Sequence, residues 1–82
     1  MPRYFFDTYD GDLFLPDDQG IELENLAAVK AEASRGLADM AGDELPDGDQ
    51  RSFVVRVRDE AGDVVLQAAL SLVVEYGPKL QD

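Results

Sequence analysis

The chain has no cysteine, no histidine and no tryptophan among its 82 residues. Without cysteine there is no disulfide, no thiolate nucleophile and no zinc site built on sulfur. Without histidine, the side chain that titrates near neutrality and binds transition metals best is missing too. Serine–histidine, cysteine–histidine and histidine–metal chemistry are therefore excluded within one chain. Basic residues are scarce: 7 Lys and Arg stand against 18 Asp and Glu, a net charge of −11. Nucleic acid and anionic membrane are poor partners for such a surface, because both are bound through clustered Lys and Arg. A basic protein is the partner class this charge would attract. Long apolar runs are also lacking. The longest is Ala68 to Val74, interrupted by Ser71, whereas about 20 apolar residues are needed to span a bilayer. Met1-Pro2-Arg3 leads straight into an aromatic segment without a signal-peptide pattern, so the expected setting is the cytoplasm.

What is present suffices for one folded domain over residues 1–82. With 45% hydrophobic and 30% charged residues, the composition is too apolar for the disordered class despite its charge. Area scaling leaves about 63% of the unfolded surface buried. A core of that size often gains support from a partner subunit.

Residues 3–9, Arg-Tyr-Phe-Phe-Asp-Thr-Tyr, favour a strand. Asp10-Gly11 supplies a turn, and residues 12–15 a short second strand stopped by Pro16. Asp17-Asp18-Gln19-Gly20 turns again, and Ile21-Glu22-Leu23 runs on in extended form. From Asn25 the period becomes helical: Leu26, Val29, Ala33, Leu37, Met40 and Ala41 form one stripe, with Asn25 as N-cap. The helix is expected over about residues 25–44, with Gly36 placed where a strand packs close. Leu45-Pro46-Asp47-Gly48-Asp49 is loop chemistry. Residues 51–58 alternate Phe53, Val55 and Val57 against Val54, Arg56 and Arg58. Asp59 to Gly62 turns the chain into a fourth strand over 63–70, leaving a tail from 71 to 82. The order strand, strand, helix, strand, strand predicts an α+β fold, a small four-stranded, mostly antiparallel sheet with one helix packed on one face.

Several of these segments carry a resemblance. Pro2-Arg3-Tyr4-Phe5-Phe6, Asp10-Gly11, Gly20 to Leu23, Ala31-Glu32-Ala33 and Asp59-Glu60-x-Gly62 with Val64-Val65-Leu66 resemble a family of small alphaproteobacterial proteins of unknown function. The likeness covers about residues 1–70. It implies the same plan of one helix against a small sheet, and no activity. Members often carry His where this chain has Asp7, so any role of that His does not transfer.

The helix must cover one sheet face. Phe53, Val55 and Val57 belong to it, with the even positions Val64, Leu66 and Ala68. Burying Asp7 unpaired would cost several kcal/mol, so Tyr4 and Phe6 are expected inside and Phe5, Asp7 and Tyr9 outside. The uncovered face then carries Phe5, Tyr9, Val54 and Val65, interspersed with Asp7, Arg56, Arg58 and Gln67. Aromatics with arginine are the residues that dominate protein interfaces, while a half-polar sheet face is also ordinary surface; an anion site at Arg56 and Arg58 is a third reading, which the acidic surroundings oppose. The tail adds a second clue. One strand over 63–75 would run about 43 Å, beyond the roughly 25 Å of its neighbours, and its overhang would be an aggregation hazard. Either the chain folds back near Ser71, or Leu70, Leu72 and Val74 pair with another subunit. Pairing in a homodimer is the preferred reading.

Acidic turns invite a divalent-cation reading through Asp10-Gly11-Asp12 with Asp17-Asp18, or Asp43-Glu44 with Asp47-Gly48-Asp49. The spacing of an EF-hand loop is absent, so solvated turn acids are the plainer account. Carboxylate pairs for acid–base catalysis arise by chance among 18 acids, and a domain this small has little room for a substrate pocket. Single turn glycines do not build a phosphate loop. The sequence therefore points to a small acidic interaction module without cofactor or enzymatic activity, self-associating through the sheet face or the last strand. Weak divalent-cation binding is the alternative, and an Asp/Glu enzyme the third.

Overall fold

Arg3–Asp10, rich in aromatic side chains, forms the strand β1. In the computed structural model, which describes residues 1–43 and 50–77, it is followed by β2 (Leu13–Leu15), β3 (Ile21–Glu22), helix α1 (Leu26–Asp43), β4 (Gln50–Arg58) and β5 (Val64–Val73). The fold is α+β, one helix against an antiparallel sheet in the order β2-β1-β4-β5, with β3 also on β1. The described ladders are all antiparallel. No helix among the described residues is long and apolar enough to cross a membrane.

Turn chemistry sets the registers. Asp10 pairs with Leu13 across a two-residue loop, and Gly11 takes a φ of 60° at its first central position, the place where a tight hairpin most needs glycine. Its amide donates to the Ser52 carbonyl (3.1 Å) and prolongs the β1–β4 ladder. Between β4 and β5 the Asp59 carboxylate accepts from the amides of Ala61 and Asp63, both at 2.9 Å. That side chain closes the turn that the sequence placed there.

Asn25 caps α1, its side-chain oxygen accepting from Ala28 N at 2.9 Å. The helix stripe Val29, Ala33 and Leu37 meets Tyr4, Phe53, Val55 and Val57, and these seven form the buried core. Tyr4 and Phe6 face the helix side as expected, and Leu66 and Ala68 pack against the same cluster. Leu26, assigned to the stripe, is exposed, since it lies in the first turn beyond the reach of the sheet.

Four expectations change. The extended segment after the second turn is a true strand, β3, hydrogen-bonded to β1 at Arg3↔Glu22 and Tyr4↔Ile21, so the described residues form five strands where four were expected. The last strand runs to Val73, not Leu70, and it has no bare overhang: β4 starts at Gln50 and pairs with it as far as Gln50↔Val73. The two strands match in length because β5 ends at Val73 and a bulge near Val57/Arg58 lets its ten residues face the nine of β4. The same slip turns Val65 into contact with the core and leaves Val64 exposed, reversing the assignment made from strict alternation. Finally, a Cβ on Gly36 would meet open space, so no strand packs against it. The expected loop over 45–49 and the tail beyond Gly77 lie outside the described residues.

Candidate functional site

Alternation along β1 sends Phe5, Asp7 and Tyr9 to the face away from the helix. Antiparallel pairing sets them opposite Arg58, Arg56 and Val54 respectively. On this open face Arg56 and Arg58 each sit against an aromatic ring. The Arg58 guanidinium lies 5.0 Å from the Phe5 ring centre and that of Arg56 lies 5.5 Å from Tyr9. Tyr9 in turn stacks on Phe14 of β2 at 4.7 Å, and Arg56 Nε donates to Gln67 Oε1 of β5 at 3.0 Å.

Asp7 is buried, with 6% of its surface exposed. It lies on the face away from the helix, as expected, and it can be buried there because it is paired. Arg58 forks around its carboxylate, Nε to Oδ2 at 2.6 Å and Nη2 to Oδ1 at 3.1 Å. The Asp17 amide donates to Oδ1 at 2.9 Å, and Arg58 Nη2 also donates to the Asp17 carbonyl at 3.0 Å. The Arg58 fork holds the Asp7 carboxyl below the usual aspartate range against the opposing effect of burial, with help from the Asp17 amide.

Asp17 closes the outer edge of β1. β2 pairs residues 8–10 of β1 and β3 pairs residues 3–4. Between them the Phe6 amide would point into a gap, and Asp17 Oδ2 accepts it at 3.0 Å. The other oxygen accepts from Gln19 and Gly20, both at 3.1 Å. Burial works to raise this carboxyl, but the amides of Phe6, Gly20 and Gln19 outweigh it and leave it below the usual range. Gly20 is required here: φ is +71°, and a Cβ would come within 2.9 Å of the Tyr4 carbonyl oxygen, Arg3 Cγ and Phe5 Cε2.

The opposite edge of the sheet is different. Because Gly11 bonds to Ser52, strand alternation turns the backbone groups of Arg51, Phe53, Val55 and Val57 toward β5. On β5, Leu66, Ala68, Leu70 and Leu72 answer them. Gln67, Ala69, Ser71 and Val73 then present N–H and C=O groups to an edge that no described strand pairs. From Val64 to Val74 there is no charged residue. On the helix side of this edge a cleft of about 300 Å³ is lined by Ala41, Phe53, Leu70, Ser71 and Leu72. A second, of about 250 Å³, lies between α1 and β1, lined by Phe6, Thr8, Ile21, Glu32, Ala33, Gly36 and Val55.

The candidate residues thus separate into two groups. Phe5, Tyr9, Val54, Arg56 and Arg58 share the open face. Leu70 and Leu72, 42% and 40% exposed, lie on the helix side at the free edge, and Val74 follows the end of β5. Sequence reasoning missed Phe14 and Asp17, and it set Gln67 on the open face without giving it a role. Phe14 was within reach, since a two-residue Gly11-Asp12 loop forces Tyr9 opposite it. Asp17 and Gln67 depend on pairings with no local signal. Among the described residues no three acidic side chains gather in a way that would hold a metal ion. No curated protein and no solved structure matches the chain. A family model, described as a domain of unknown function (DUF6894), matches residues 3–71, and the chain belongs to that family.

Proposed function

We propose that this domain is a small acidic interaction module that self-associates by pairing β5 of one copy, antiparallel, with β5 of a second. The observation that carries the reading is the uncharged ten-residue edge strand. Unprotected edges invite strand addition, and folded domains ordinarily blunt them with charge, proline or a covering segment. Here the β1 edge is blunted in that way, by two short strands and Asp17, and among the described residues nothing blunts the β5 edge. Leu70, Leu72 and Val73 are exposed along it, and the adjoining apolar cleft offers side-chain burial besides backbone bonds.

Magnitudes set the expected strength. A fully buried leucine contributes roughly 1.5–3 kcal/mol. Leu70 and Leu72 have only about two-fifths of their surface left to cover, so both copies together gain a few kcal/mol. Association costs about 4 kcal/mol or more in lost freedom, and the new backbone bonds must supply the surplus. A micromolar dimer is expected.

Light scattering behind size exclusion tests this. The wild-type chain should run as a dimer at tens of micromolar (roughly the range such an energy balance implies), and Leu72→Glu as a monomer. Ala69→Pro is the sharper variant: it removes one outward-pointing amide and keeps the ladder to β4, and it too should be monomeric with unchanged circular dichroism. A monomeric wild type at these concentrations would overturn the reading.

A further inference from the structure

We propose that Arg56 anchors a second recognition site on the open face, one that takes a carboxylate carried next to an aromatic side chain on a peptide segment of a partner protein. In this acidic chain Arg3, Arg35, Arg51 and Arg58 each reach a carboxylate. Arg56, among the described residues, does not. The acid directly opposite it in the β1–β4 register is Asp7, and Asp7 is held by Arg58 on both oxygens. Arg56 is thereby left without a close ion pair, acting on Asp7 only as a nearby charge, yet it is not loose. Gln67 holds its Nε and Tyr9 lies under its guanidinium, with Phe14 stacked on Tyr9.

A guanidinium fixed at Nε presents its remaining N–H groups as a fork, and the ligand geometry that matches a fork is a carboxylate. Phe14, 47% exposed, supplies an apolar ring beside it for a flanking aromatic group. The two clefts described above lie on the other side of the sheet, and the contacts of Arg56, Tyr9 and Phe14 lie along the face of the strands. Small molecules need concavity to bury most of their area, whereas a peptide does not. A single carboxylate also suits the electrostatics better than phosphate or nucleic acid, since every added negative charge is opposed by the net −11. The site does not rest on self-association. Antiparallel pairing of two β5 edges about a two-fold axis leaves both open faces uncovered on the same side of one continuous sheet.

The test follows the arginine side-chain Nε–H signals of the full chain by NMR during titration with an acetylated, amidated Gly-Phe-Glu-Gly peptide. Gly-Phe-Gln-Gly and sodium acetate are titrated in parallel. The Glu peptide should give a saturable shift at Arg56, with the Gln peptide and acetate at least about tenfold weaker, as loss of one charge-assisted contact or of the ring contact implies. Arg56→Gln should abolish the response, and Arg56→Lys, which keeps the charge and loses the fork, should weaken it. Both variants should keep the wild-type mass in light scattering, which separates this site from the edge contact. Equal responses to the Glu and Gln peptides, an acetate response equal to that of the Glu peptide, or an unchanged titration of Arg56→Gln would each overturn the proposal.

Discussion

Removing the charge of Asp7 leaves Arg58 forked around an amide that accepts on one atom and donates from the other. Asp7→Asn is expected to lower the unfolding free energy by about 2 kcal/mol in urea titrations, the scale of losing charge-assisted hydrogen bonds in a buried group. The same carboxylate makes stability depend on pH. The Arg58 fork depresses its pKa in the folded state, and Asp17 is depressed with it. Their contribution is fully present above the unfolded aspartate value near 4 and is lost as pH falls through the lower folded values. Wild-type stability should therefore stay level from neutral pH down to about 5 and drop below about 4. Asp7→Asn should flatten that drop, and an equally steep acid limb in the variant would remove Asp7 from the account. None of this was legible in the sequence. The composition showed that Asp7 needed a partner if buried, but Arg58 lies some fifty positions away and no periodicity pairs the two.

At the scale of elements, glycine separates what the local chain demands from what packing demands. Gly20→Ala forces a side chain into a positive φ and against the Tyr4 carbonyl, and should destabilise by about 2 kcal/mol or more. Gly36→Ala adds a methyl group to open space inside α1 and should stabilise by about 0.5–1 kcal/mol through helix propensity. Thermal melts of the two variants should move in opposite directions. The strands and helix were readable because their periods are local: Phe53, Val55 and Val57 alternate, and Val29, Ala33 and Leu37 recur at helical spacing. The bulge that displaces Val65 and the two-residue β3 were not readable. The first depends on how two strands twist together, and the second on β1 being there to receive Ile21 and Glu22. The open face was half legible, since alternation brought Phe5, Tyr9, Arg56 and Arg58 together, whereas the holding contacts of Gln67 and Asp17 belong to tertiary pairing.

For the whole molecule, the charge of −11 works against association of two copies even though the edge strand itself carries none. Salt should therefore tighten the dimer. Lowering ionic strength from about 0.15 M to about 0.01 M extends the screening length from about 8 to about 30 Å. The dissociation constant measured by analytical ultracentrifugation should rise severalfold, and a dimer that weakens with added salt would mean that ion pairs, not the uncharged edge, hold it. The sheet order has a further consequence for how the domain comes into being. β4 lies at the centre, flanked by β1 and β5, yet among the described strands it is the next to last in sequence. It meets β5 across a tight turn, which hairpins close within microseconds, but it meets β1 across more than forty residues, a loop whose closing costs entropy before any contact rewards it. During vectorial synthesis the first three strands and the helix leave the ribosome with their apolar faces unmatched. They gain a core only when the final third of the domain arrives, so a chain stopped before β4 has nothing to fold around.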